Sequence, residues 1–206
     1  MADMYAGKLV VAGPATDVRR FVETAREKPA FGRPRGQPLA PLLFQALLPL
    51  GDRSPESYYG TSSDKPSHVW EDNPTALRVG VLQVAYNFQT RSAPPERWVV
   101  HVSKRWPSLR FVLGYVKPGA GVAGSIYARN GKGTRYTVGA RRIAAAYAAH
   151  RRCWEPDPAD KEYEEIRLWA EAEVDWDVMD LAVARWNPFL RARPGLRSRN
   201  LSGRKR

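Results

Sequence analysis

Cysteine is nearly absent: Cys153 is the only one in 206 residues, so no internal disulfide can form. The three histidines, His68, His101 and His150, fall on separate segments, and neither they nor the cysteine offer the spacing of a zinc site. A reducing compartment and a fold with no structural metal and no cofactor are therefore expected. Nowhere do about 18 apolar residues run together, the length a membrane-spanning helix needs. The opening MADMYAGKLVVAG carries Asp3 and a short apolar stretch, unlike a charged region followed by a long hydrophobic core and a cleavage site. These absences point to a cytoplasmic protein, neither secreted nor membrane-spanning. Acids are also outnumbered, 21 against 33 lysines and arginines, leaving a formal charge of +12. Such an excess attracts polyanions, of which nucleic acid is the most abundant inside a cell. A G- and C-rich genome that encodes arginine in place of lysine would leave the same basic surface with no ligand implied.

With 43% hydrophobic and 26% charged residues, the composition suits one folded core with appended structure. Met4 to Ala12 reads as a strand that ends at the turn dipeptide Gly13-Pro14. Thr16 or Asp17 can cap the next helix, whose apolar positions Val18, Phe21, Val22 and Ala25 recur at helical spacing before Pro29. Residues 29 to 41 hold four prolines and two glycines and read as an exposed connection. Leu42 to Leu50 fits strand or helix equally, and Gly51 to Asn73 is polar and turn-rich. From Leu77 to Phe88, valines and aromatics predict one strong strand. Ser92 and Pro94-Pro95 then open a helix with Trp98, Val99, Val102 and Trp106 at helical spacing, stopped by Pro107. Leu109 to Tyr115 and Val122 to Ala128 read as a hairpin around Gly119-Ala120-Gly121, and a short strand, Thr134 to Val138, follows the Asn130-Gly131 turn.

Helical patterns fill most of the remainder. Ala140 to Trp154 is alanine-rich, and Asp157 to Trp186 reads as a second helical stretch broken once near Val174 to Asp177. That stretch holds ten of the 21 acids. Arg191 to Arg206 holds seven cations, Arg191, Arg193, Arg197, Arg199, Arg204, Lys205 and Arg206, and no acid, a composition expected to be disordered when free.

The element order predicts an α+β protein, with a ferredoxin-like split βαβ antiparallel sheet and helices on one face. Residues 1–138 would form that domain, with a long irregular insertion at 29–76. A helical extension would occupy 139–190 and a basic tail 191–206. The run VAYNFQTRSAPPERWVVHVSKRWPSLRFVLGYVKPGAGVAGSIYARNGKG, residues 84 to 133, resembles the YubB-like ferredoxin-like domain family of plasmid- and phage-borne proteins. The likeness lies in a strand leading through a proline pair into a helix that ends at Trp106-Pro107, followed by a hairpin with a glycine turn at Gly119 to Gly124. The opening strand with Gly13-Pro14, Asp17-Val18 and Phe21 is similar to that family's N-terminal unit, so the likeness covers about residues 5–28 and 77–133. The family's Trp-Gly-Thr-Lys-like run is represented only by Tyr59-Gly60-Thr61 and Lys65, and Lys117 replaces an acid in the hairpin turn. The family is of unknown function, so the resemblance implies a fold and a mobile-element origin.

No catalytic constellation is legible. Cys153 has no histidine at a recognisable spacing, and Glu164-Glu165 are helix neighbours that point apart. The glycine-rich stretch Gly114, Gly119, Gly121 and Gly124 has cations close by, Lys117, Arg129, Lys132 and Arg135; it reads as hairpin turns or as a phosphate-contacting loop, without the Walker A pattern. Trp98 and Trp106 suit a core face, and Tyr86, Phe88 and Phe111 lie on strands where ferredoxin-like RNA binders display stacking aromatics. The reading that emerges is a non-enzymatic accessory protein of a mobile element, binding DNA, RNA or a nucleoprotein. Its contacts would be chiefly to phosphate, through the tail with Arg141, Arg142, Arg151 and Arg152. The alternatives are a protein-interaction module, inhibitor or adaptor, acting through the acidic helices at 157–180, and an enzyme whose site residues are not contiguous.

Overall fold

The structure is a computed structural model that describes residues 3–28, 39–118, 120–153 and 163–188, with the backbone alone at 150–153 and 163–173. Strand β1 (Met4–Pro14) feeds without a break into helix α1 (Ala15–Ala25). Gly13-Pro14 is therefore not a turn: both residues still pair with the neighbouring strand, at Leu82 and Val81. The expected cap at Thr16 or Asp17 is absent as well. Pro14 occupies the N-cap without a side-chain hydrogen bond, and Asp17 sits inside the first turn, where the helix dipole favours a negative charge.

The predicted strand from Leu77 is in fact two. β3 (Thr75–Arg78) reverses at Val79-Gly80 into β4 (Val81–Arg91), with Gly80 at φ 73° and Val79 fully exposed. Glycine takes that left-handed conformation at little cost, so a valine-rich run that looks continuous is folded back on itself. The other strands are β2 (Ser67–Glu71), β5 (Arg110–Lys117), β6 (Val122–Arg129) and β7 (Lys132–Thr137). Together they make a seven-stranded sheet in the order β2-β4-β1-β5-β6-β7, with β3 also on β4 and every pairing antiparallel.

Alternation along the strands divides the core in two. Leu9, Val11, Val84, Tyr86, Phe88, Phe111 and Leu113 face α1 and α4 (Glu96–Arg105), meeting Phe21, Trp98, Val99 and Val102. Ala6, Val10, Ala12, Ala85, Val112 and Val116 face the other way, against α5 (Ala140–Cys153) and α6 (Tyr163–Ala184). Helices on one face was the expectation; α6 covers the second face. The cause is legible in retrospect, because Leu9-Val10-Val11-Ala12 and Phe111-Val112-Leu113 are apolar on both faces and need cover on both. The expected break near Val174 to Asp177 does not occur, since Val174, Val178 and Ala182 recur every four residues on the buried side of an uninterrupted helix.

Trp98 is core, as its helical spacing suggests. Tyr86, Phe88 and Phe111 are fully buried under α1 and α4, so none of them is displayed for base stacking. The connection read as irregular contains two short helices, α2 (Phe44–Leu47) and α3 (Pro55–Tyr58). Its carbonyls are gripped by side-chain donors: Trp98 Nε1 to Phe44 at 3.1 Å, Arg105 to Leu47 at 3.2 Å, Tyr59 to Leu48 at 2.6 Å, Arg53 to Leu50 at 3.1 Å and Arg97 to Ser57 at 3.0 Å.

Candidate nucleic-acid interface

The tail cations Arg191 to Arg206 lie outside the described residues, as do the side chains of Arg151 and Arg152. The four cations around the glycine stretch do not form one site. Lys117 ends β5 opposite Val122, while Arg129 lies at the far end of β6, roughly 23 Å away at a strand's rise per residue. Lys117 is engaged by Asp3, its Nζ 2.8 Å from Oδ2, and that hydrogen bond raises its pKa. Arg135 points to the α4 face, where its ion pair with Glu96 holds its pKa up. Lys132 is exposed beside Arg129 at the β6–β7 turn.

The glycines serve packing and turns. A Cβ on Gly114 would lie 2.6 Å from Val183 Cγ2 and 3.0 Å from Met179 Cγ, so this glycine makes room for α6 rather than for a phosphate. Gly124 lies beneath the Tyr115 hydroxyl, and Gly121 and Gly131 take positive φ in turns.

A different set of cations converges at the C-terminal end of α6, where the helix dipole is negative. Tyr136 of β7 is its centre: Arg142 Nη1 donates to the hydroxyl at 3.3 Å, and the Arg185 guanidinium lies 4.9 Å from the ring centroid. One residue on, Trp186 stacks against Tyr127 at 5.5 Å and donates from Nε1 to Ser125 Oγ at 2.9 Å. Burial raises the pKa of Tyr127, and the Arg129 and Arg110 guanidiniums act against that rise. Arg110 is 2% exposed; burial lowers its pKa, and Arg129 and Arg78 push the same way. Of these residues, sequence reasoning names Arg142 and Arg129. Arg185, Arg110 and Arg78 stand singly in apolar or mixed surroundings, and only strand register and the seating of α6 bring them together.

Among the described residues no group of histidine, cysteine, aspartate and glutamate side chains could hold a metal ion, and no helix is long and apolar enough to cross a membrane. No family model matches the chain, and no curated protein matches it. Among solved structures the chain is similar to the protein api92 from Yersinia pseudotuberculosis, of family model DUF1281, with 16% identity and a TM-score of 0.36. The match covers 50% of this chain and 43% of that one, less than half of its length. A likeness this slight transfers neither a fold nor an activity.

Proposed function

We propose that the protein is a non-enzymatic accessory protein that binds nucleic acid, or a nucleoprotein complex, mainly through phosphate contacts. The observation that carries this reading is the convergence of Arg142 and Arg185 on Tyr136 just before the chain runs into its arginine-rich tail. Arg191, the first of the seven tail cations, follows Pro188 by three residues in the sequence. Cations drawn together in this way release counterions when they meet a polyanion. Contacts of that kind position a backbone and do not read bases, so binding is weakly selective for sequence.

We also read β1, α1, β2, β4, α4 and β5 as a ferredoxin-like split βαβ unit, extended at one edge by β6 and β7. The strand order supports this, because β1 lies between β4 and β5, and β4 lies between β1 and β2. With that fold go membership of the YubB-like family, an origin on a plasmid or phage and a cytoplasmic location.

The test compares the full chain with one ending at Pro188 for binding to labelled single- and double-stranded DNA and RNA at about 50 and 200 mM salt. Binding that falls by orders of magnitude with salt, and is mostly lost on truncation, upholds the reading. No binding by the full chain at the lower salt overturns it.

A second reading, a protein partner at the acidic helices, is favoured by one observation. Trp70, 46% exposed, lies 5.3 Å from Trp176, which is flanked on α6 by the exposed Asp177 and Asp180. Charge reversal at Asp177 and Asp180 that abolished capture of a partner would shift the assignment to this face.

A further inference from the structure

We propose that Trp70, Trp176 and Asn87 form a site for one unpaired nucleobase, in the corner where α6 passes the outer strands of the sheet. This deepens the nucleic-acid reading and rests on it for the source of the base, a single strand of DNA or RNA. Strand register builds the floor. Trp70 of β2 is opposite Asn87 of β4, and Asn87 is opposite Lys8 of β1, so the three residues form one row across three strands on the second face. Helix α6 supplies the wall. The Trp176 ring lies 5.3 Å from that of Trp70, and one helical turn further on Asp180 Oδ1 accepts from Lys8 Nζ at 2.7 Å. These two contacts fix α6 against both ends of the row, with Asn87 between them.

Each member has chemistry that suits a base. Trp70 is 46% exposed, and its indole is already held against Trp176 at a tilt of 57°, so a planar ligand meets a ring oriented in advance. Stacking on an aromatic face is a common way to hold a single strand. Asn87 is the reverse case: it is polar and 6% exposed, and its side-chain amide makes no hydrogen bond to any described residue. A buried amide without a partner is costly, and it offers a donor group beside an acceptor. The N6 and N7 edge of adenine presents the matching acceptor and donor, a pairing that asparagine makes in nucleic-acid complexes.

Charge selects the occupant. Asp180, one of the acids near Trp176, is paired with Lys8, so this corner is less negative than the α6 sequence suggests. Arg91 closes β4, exposed and on the same face as Asn87, four residues or ~13 Å along the strand, where the phosphates of a strand leaving the site can run. The net charge of +12 draws polyanions to the chain as a whole. Bases inside a duplex have their faces covered by their neighbours, so the site takes single strands.

The experiment uses the full chain and two labelled single strands of equal length, a deoxyadenosine homopolymer and an abasic strand that carries the same phosphates without bases. Fluorescence anisotropy reports binding. In parallel, free adenosine is titrated while the indole N–H resonances of Trp70 and Trp176 and the side-chain amide of Asn87 are followed. Trp70→Ala and the ring-conserving Trp70→Phe are compared with the parent, circular dichroism reporting that each is folded. The parent is expected to bind the homopolymer more tightly than the abasic strand, and adenosine to shift all three resonances. Trp70→Ala should bind the homopolymer about tenfold more weakly, the size of stacking one base on an aromatic ring, with the abasic strand unaffected. Trp70→Phe should recover part of that loss. Adenosine that moves none of the three resonances in the parent overturns the site, whether or not any variant folds. Equally tight binding of the two strands by the parent also overturns it and leaves the nucleic-acid reading standing. Shifted resonances with no strand bound by any form keep the site, make the free nucleoside its ligand and remove the nucleic-acid reading. Trp70→Ala that binds both strands like the parent but loses a protein partner overturns the site and gives this face to the second reading.

Discussion

Gly114 and Val183 meet where α6 crosses the sheet, so closely that a single methyl group on the glycine would lie 2.6 Å from Val183 Cγ2. Overpacking a tight core contact of this kind costs about 1–3 kcal/mol. Gly114→Val should therefore lower the free energy of urea unfolding by that amount and increase protease cleavage within α6, while the packing of α1 and α4 on the opposite face is retained. Unchanged stability would mean that α6 does not rest on Gly114.

Ser125 ties the sheet both to α6 and to the turn that follows it, donating to the Ala182 carbonyl at 2.8 Å and accepting from Trp186 Nε1 at 2.9 Å. Ser125→Ala removes the group that satisfies a buried indole N–H, a loss worth about 1–3 kcal/mol. Urea unfolding should show this cost. Ser125→Thr keeps the hydroxyl and should recover part of it.

Arg142 and Arg185 flank Tyr136 at the surface. If both touch phosphate, Arg142→Gln/Arg185→Gln reduces the slope of log affinity against log salt by about 1.8 on duplex DNA, about 0.9 for each phosphate contact. The full chain is the one to measure. A slope equal to the parent's assigns the phosphate contacts elsewhere.

Two tyrosines predict alkaline sensitivity. Burial pushes the Tyr59 and Tyr115 hydroxyls up to about 12, in Tyr115 with further help from Glu96. An unfolded tyrosine ionises near ~10, so between these values the unfolded chain loses protons that the folded chain keeps. Stability should be fully present below about pH 10 and fall as pH rises toward about 12. Tyr115→Phe should flatten that fall. Tyr59→Phe should flatten it too, while costing about 1 kcal/mol at neutral pH for the lost bond to the Leu48 carbonyl. Urea titrations at stepped pH separate the two effects.

The mixed α+β character, both long helices facing the first core, and the hairpin around the glycine turn were readable from periodicity and breakers alone. The reversal at Val79-Gly80 was not, because a two-residue turn within a β-branched run leaves no composition signature beyond one glycine. Gly13-Pro14 misled in the opposite direction: a dipeptide that ordinarily bends the chain is paired in the sheet, and Gly13 has little room for a side chain, Leu109 Cδ2 lying 2.6 Å from where its Cβ would be. Of the candidate cations, Arg142 could be found in the sequence because it stands in a basic pair. Arg110 could not, since its neighbours Arg129 and Arg78 are distant in sequence and meet it only through strand register.

The five side chains that hold the connection between Phe44 and Ser57 all grasp main-chain carbonyls. Every residue type supplies that acceptor. The path of this segment is thus inherited from Trp98, Arg97, Arg105, Tyr59 and Arg53, whereas outward positions such as Gln45, Ala46 and Asp52 carry no part of the grip. Those positions can drift, or be rewritten by an engineer to present a new epitope, while the backbone beneath them keeps its course.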